Sequence, residues 1–354
     1  MSQDHTLASA PLVPRRSLPA GPELPLFALG SWYTYDRMDF DEIVALLQLA
    51  VDSGVTLFDV GVYGRYPSRF PLGNPRLGRT WTDVVFAHAL RVAGIERSRY
   101  MVAVKLWMWA LPASSHEDQL DHALLRLGMD HCDIITLGDM EELADIRATV
   151  EQVAQIIRHG KARWWGVNNW SVDELALAHA YAQERGLPLP CFAQLKYNPA
   201  RRTKPESRLW RDFFARSGVR LQASDVFESG YFAGRTELTR GVARDPGAIQ
   251  PLIAAAAPRF KAVAESIGAT PAQLALAFCL SHPDLVNVLF GCTSRAQFLD
   301  NLGALALWQR EGQGLVALVD EFWFDRDRID PTASWADRPV DLQPPRTVLA
   351  QARS

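Results

Sequence analysis

The chain has 354 residues, 48% of them hydrophobic and 22% charged, and 37 Lys+Arg against 40 Asp+Glu leave a formal net charge of −3. That balance lacks the positive footprint nucleic-acid binding needs, and the chain lacks the run of about 18 apolar residues that crosses a membrane. At roughly 150 residues per domain the length suggests two domains, but one α/β barrel of about 250 residues with extensions fits equally well.

Residues 1–25 are rich in Pro, Ser and Ala, lack periodicity and show no signal-peptide pattern, so a flexible N-terminal arm is expected. Strand and helix patterns then alternate: strand Phe27–Gly30, helix Phe40–Val51, strand Val55–Asp59, helix Thr82–Val92, strand Met101–Lys105 and helix Glu117–Leu127. Strand Cys132–Leu137, helix Ala144–Ile157, strand Arg163–Val167, helix Val172–Gln183 and strand Phe192–Leu195 follow. Helix Glu206–Phe214, strand Val219–Ala223, helix Pro271–Leu280 and strand Val286–Phe290 complete the series. Asp39, Ser171 and Thr270 stand where helix N-caps are expected, the last followed by Pro271 at the first helical position. Pro251 to Pro258, the longest apolar candidate, is short and bounded by prolines. Eight strands alternating with helices fit a closed (β/α)8 TIM barrel over residues 26–310 better than an open doubly wound sheet. Residues 311–354 form a C-terminal helix, patterned at Leu315–Phe324, and a tail over or beside the barrel.

The four cysteines, Cys132, Cys191, Cys279 and Cys292, are scattered, with no CxxC pair and no histidine at ligand spacing. They read as reduced thiols of a cytoplasmic protein without a metal site.

In such a barrel the chemistry sits just past the C-terminal ends of the strands. There the second strand ends at Asp59 and runs into Gly61-Val62-Tyr63-Gly64, and the third ends at Lys105. An ammonium beside a phenol stabilises the phenolate and lowers its pKa, an aspartate holds the ammonium charged, and Tyr63 becomes a proton donor to a developing alkoxide. The plainer alternative is a rim salt bridge between Asp59 and Lys105 with Tyr63 as packing.

Phe58-Asp59-Val60-Gly61-Val62-Tyr63-Gly64, Lys105 after a β run, and Gly160 through Trp164-Trp165-Gly166-Val167-Asn168-Asn169-Trp170-Ser171 resemble the aldo-keto reductases. Gln194-Leu195-Lys196-Tyr197-Asn198 and Leu289 through Asn301 follow in the same order, so the resemblance spans about Phe27 to Leu307. Within the family these blocks are most similar to the branch that includes the potassium-channel β subunits.

The resemblance implies a barrel that binds NADP(H) extended across its C-terminal rim, without a Rossmann domain; no Gly-x-Gly-x-x-Gly follows a strand. It assigns Asn168, Asn169 and Gln194 to the nicotinamide carboxamide and Thr293, Gln297, Asp300 and Asn301 to the adenosine end. Arg295 becomes the candidate partner of a 2′-phosphate, which favours NADPH. The bland alternative is that these residues cap loops and Arg295 is a solvated helix charge.

Several positions depart from the family pattern. Gly138 stands where a histidine usually orients the substrate carbonyl, a residue the channel β subunits also lack. Asp139, Glu141 or Glu142 are candidates for a carboxylic acid of the kind some members use on carbon–carbon double bonds; otherwise Gly138 simply opens space. Asp59 and Tyr63 are one residue closer than usual, so either the loop bulges at Gly61 and Gly64 or Tyr66 competes. Ser224 stands where an aromatic residue usually stacks on the nicotinamide, leaving Phe227 as a substitute.

Trp32, Tyr33, Trp107, Trp109 and Trp170 make an aromatic rim that, with Gly138, suits a bulky or aromatic small molecule, as in secondary metabolism. Trp164 and Trp165 lie on one strand and face opposite sides. Arg201, Arg202 and Lys204 either reach an acidic group or are a solvated loop. Whether Trp335 or Pro344-Pro345 covers the pocket, and whether the chain is a homo-oligomer, is not legible. The expectation is an NADPH-dependent oxidoreductase acting on a carbonyl or conjugated C=C. The alternative is a divergent relative working as a non-redox lyase or dehydratase, or as a nucleotide-sensing binding protein.

Overall fold

The computed structural model describes residues 12–64, 80–139, 145–236 and 245–333. Strands β1 (Arg15–Ser17) and β2 (Glu23–Pro25) pair as an antiparallel hairpin, and β3 (Phe27–Gly30) follows after one residue. Helix α1 (Phe40–Asp52), β4 (Leu57–Gly61), α2 (Thr82–Val92), β5 (Met101–Leu106), α3 (His116–Leu127) and β6 (Ile134–Leu137) come next. Then follow α4 (Ile146–Arg158), β7 (Trp164–Asn168), α5 (Val172–Glu184), β8 (Phe192–Lys196), α6 (Thr203–Glu206), α7 (Arg208–Ser217) and β9 (Arg220–Ser224). The remaining elements are α8 (Gln250–Ser266), α9 (Pro271–Leu280), β10 (Leu285–Phe290), α10 (Arg295–Leu302), α11 (Ala304–Glu311) and α12 (Gly314–Leu318). Strands β3 to β10 close a parallel barrel in chain order, with β10 paired to both β9 and β3.

Capping fixes several helix starts as the sequence implied. Asp39 accepts from the backbone of Asp41 and Glu42, and Ser171 and Thr270 form capping boxes with Glu174 and Gln273. Helix α8 was not anticipated, because Pro258 lies inside it. Its buried residues Ile253, Ala256, Ala257, Phe260 and Ala264 nevertheless keep helical spacing, and that periodicity was the overlooked signal.

Residues 12–25 are not a loose arm. The hairpin packs across the N-terminal mouth of the barrel, burying Leu18 and Leu24 against a layer that includes Ala28, Leu57, Ala103, Ile134, Phe192 and Val286. Apolar burial and the Val13 N–H bond to Ser53 O explain why so unpatterned a segment is ordered. Trp164 joins this interior layer while Trp165 is buried between the strands and the helices, donating to Pro188 O.

One layer higher the interior turns polar. Asp59, Lys105, Gln194, Gln222 and Asn287 are joined there by side-chain hydrogen bonds and an ion pair. Burying so many polar groups is tolerated only because they pair with one another.

Arg201, Arg202 and Lys204 are neither solvated nor open to a ligand. Arg201 is fully buried against Glu228 and Asp245, Arg202 pairs with Glu206 and Asp320, and Lys204 donates to Ala333 O. Asp325 accepts from the backbone N–H of Arg202 and Thr203, so the segment after α12 is strapped to the loop following β8. Trp335, Pro344 and Pro345 lie outside the described residues.

Candidate active site

Asp59 and Lys105 come from neighbouring strands paired so that Gly61 lies opposite Lys105. Their ion pair is long, 3.9 Å, whereas Lys105 Nζ donates to Gln194 Oε1 at 2.6 Å. Gln194 Nε2 donates to Asp59 Oδ2 at 3.0 Å and to Gln222 Oε1 at 2.6 Å, and Gln222 Nε2 donates to Asn287 Oδ1 at 2.9 Å.

Tyr63 follows β4 and lies close enough to Asp59 to feel its charge. Its ring folds back on Gly61 so closely that a Cβ there would come within 2.7 Å of Tyr63 Cζ. Gly61 therefore permits the short Asp59–Tyr63 spacing, and Gly64, at φ +74°, lets the chain turn away. Tyr66 lies outside the described residues. The phenol hydrogen-bonds the Ser31 hydroxyl, while burial first and the Asp59 charge second push its pKa above the ordinary value. The ammonium that was expected to lower the phenol is engaged with Gln194 instead.

Tyr63 sits inside an aromatic row. Its ring centroid is 6.4 Å from Trp32 and 5.6 Å from Trp107, Trp32 lies 5.0 Å from Tyr33, and Trp107 stacks on Trp109 at 4.4 Å. Trp170 does not join them. It is fully buried and its indole N–H donates to Gly138 O, so it supports the rim from behind and lines no open surface.

Gly138 and Trp107 are complementary. A Cβ on residue 138 would lie 2.9 Å from Trp107 Cε3 and 3.1 Å from Leu106 O, so no larger side chain fits while Trp107 holds its place. Trp107 is fixed by its indole N–H to Val62 O and by two bonds between its backbone and the Gln119 side chain. Asp139, a candidate acid, accepts from Asn169 Nδ2 at 3.0 Å and so serves the end of β7; Glu141 and Glu142 are outside the described residues.

At that strand end Asn168 Nδ2 and Asn169 N both donate to Gln194 O. Asn169 is held at φ +58°, and its Oδ1 is buried with no hydrogen-bond partner among the described residues. Such an atom is costly unless something donates to it, and a carboxamide NH2 is a suitable donor. Ser224 ends β9 with little exposure and offers no ring, and Phe227 packs on Phe290 at 6.2 Å in the outer core.

Around the start of α10, Gln297 accepts from the Thr293 N–H. The Arg295 backbone N–H and Nε both donate to Glu42, at 2.8 and 3.0 Å. Each Asp300 carboxylate oxygen accepts a hydrogen bond, from Thr270 and from Gln273, so Asp300 ties α10 to the start of α9. Asn301 is buried beside it.

Ser31, Gln222, Asn287 and Glu42 escaped the sequence reading. For Gln222 and Asn287 the signal was a polar residue inside an otherwise apolar strand, Leu221-Gln222-Ala223 and Val286-Asn287-Val288.

The aldo/keto reductase family model matches residues 27–314, the barrel together with α10, α11 and the start of α12. The chain belongs to the aldo/keto reductase family. This aldo/keto reductase is 28% identical over 297 residues to a protein of Oryza sativa subsp. japonica named a probable voltage-gated potassium channel subunit beta, covering 78% of this chain and 86% of that one. It is 26% identical over 336 residues to a putative voltage-gated potassium channel subunit beta of Schizosaccharomyces pombe, covering 85% and 90% respectively.

Proposed function

We propose that this aldo/keto reductase is an NADPH-dependent oxidoreductase that reduces a carbonyl or conjugated C=C of a bulky or aromatic metabolite, with Tyr63 as proton donor. The observation that carries the reading is Tyr63 standing between Trp32 and Trp107 within reach of the Asp59 charge, with Asp59 and Lys105 both linked through Gln194. Asn168, Asn169 and Gln194 would hold the nicotinamide amide, with the unpartnered Asn169 Oδ1 as acceptor, and Thr293, Gln297, Arg295 and Asn301 would lie about the adenosine end. NADPH, when bound, supplies the hydride. The phenol, kept protonated by burial and by Asp59, gives its proton to the substrate oxygen or carbon, and Lys105 stabilises the phenolate left behind. The aromatic row presents flat apolar surface and keeps water from the reacting atoms. Four free, buried cysteines favour a reducing, cytoplasmic setting.

The test is an NADPH titration followed by fluorescence, then NADPH consumption across aromatic aldehydes, quinones and enones. Binding with turnover that Tyr63→Phe abolishes is expected; no NADPH binding sinks the reading.

A second reading, cofactor binding without turnover, is favoured by Gly138 and Trp107, which leave no donor on residue 138 to polarise a carbonyl. NADPH that binds tightly yet is not consumed by any member of that panel selects it.

A further inference from the structure

The polar layer has a direction. Lys105 can only donate and the Asp59 carboxylate can only accept, so together they orient the Gln194 amide, Oε1 to the lysine and Nε2 to the acid. The second N–H of Gln194 donates to Gln222 Oε1, which turns Gln222 Nε2 toward Asn287 Oδ1. The chain ends on Asn287 Nδ2, a buried donor with no partner among the described residues. In this state both Gln194 N–H groups are taken by protein, so Gln194 cannot donate to a nicotinamide carboxamide without leaving Asp59 or Gln222.

Leaving Gln222 is the cheaper exchange. Once Gln194 turns away, Gln222 Oε1 is the acceptor that Asn287 Nδ2 lacks, and the two amides can face each other with two hydrogen bonds in place of one. One bond is lost and one is gained, so the pair has two arrangements of similar energy. A leucine or valine at either position would remove that compensation.

We propose that Gln222 and Asn287 are positioning residues, an amide latch that holds Gln194 inward until the nicotinamide end of the cofactor draws it out. The latch rests on the NADPH reading above, and neither residue touches the reacting atoms.

The two residues should act with opposite signs on NADPH affinity. Gln222→Leu leaves a Gln194 N–H unpaired before binding, so release costs less and NADPH should bind about three- to tenfold tighter, the worth of roughly one hydrogen bond. Asn287→Leu removes the alternative partner of Gln222, so NADPH should bind weaker by a similar factor. The 2′-phospho-ADP-ribose fragment, which lacks the nicotinamide, should bind both variants as it binds the wild type. Affinities would be measured by calorimetry on the full chain, with thermal melts to confirm folding and Gln222→Met replacing Gln222→Leu if the latter is unstable. Wild-type NADPH binding with both variants shifted in the same direction, or with the fragment shifted equally, overturns the latch alone. Absence of NADPH binding to the wild type overturns the function reading and the latch with it.

Discussion

Lys105 Nζ lies 2.6 Å from Gln194 Oε1 and 3.9 Å from the Asp59 carboxylate, so an amide holds the ammonium more closely than the acid does. The phenol of Tyr63 is therefore governed by burial and by the Asp59 charge, both of which favour its protonated form. With its pKa raised above the ordinary 10.0, the phenol stays protonated through the whole neutral range. Reductive turnover should show no alkaline limb from Tyr63 below about pH 10, and a pH–rate profile checks this. Tyr63→Phe should lower turnover at least about a hundredfold while NADPH affinity changes little.

Gly138 and Trp107 should show strong coupling. Gly138→Ala places a methyl 2.9 Å from the indole and should destabilise the fold by about 1–3 kcal/mol. Combined with Trp107→Ala, much of that cost should vanish, because the clashing ring is gone. A double-mutant cycle by denaturant unfolding measures the coupling; strictly additive losses would mean the ring moves aside at no cost.

Glu42 takes the Arg295 backbone N–H and Nε–H and sets a negative charge beside the guanidinium that would meet a phosphate. Glu42→Gln should strengthen NADPH binding severalfold and leave NADH nearly unchanged, with the difference shrinking at high salt. Equal effects on both cofactors would remove Arg295 from the 2′-phosphate site.

Lys204 is buried and its pKa is lowered to about 7 from 10.5. A lysine depressed in the folded state is protonated more readily in the unfolded chain between those values, so stability should rise with pH across that window and level off outside it. The Tm of the wild type relative to Lys204→Met should climb by about 2 °C or more between pH 7 and 10. A flat difference would mean that Lys204 remains charged throughout.

The barrel was legible because its strands alternate with well-capped helices, and the nearness of Asp59 to Lys105 and Tyr63 because all three stand where neighbouring strands end. Several relationships were not legible because they cross the fold. Gln194 and Lys105 are 89 positions apart, and Glu42 and Arg295 are 253 apart, so nothing local couples them. Trp170 read as rim because it follows a strand, yet its indole N–H finds Gly138 O and draws the ring inward. Within the expected arm, residues 12–25 pack as a hairpin because a few leucines, not any period, decide whether so short a hairpin is held.

That hairpin makes the barrel a cup and not a pipe. With Leu18 and Leu24 stopping one mouth, a ligand of the proposed reaction would approach the Asp59–Lys105–Gln194 layer from the aromatic end. On that reading order of arrival becomes a matter of queueing: whatever settles against Asn169 and Gln194 would enter before and leave after anything stacked beneath Trp32 and Trp107.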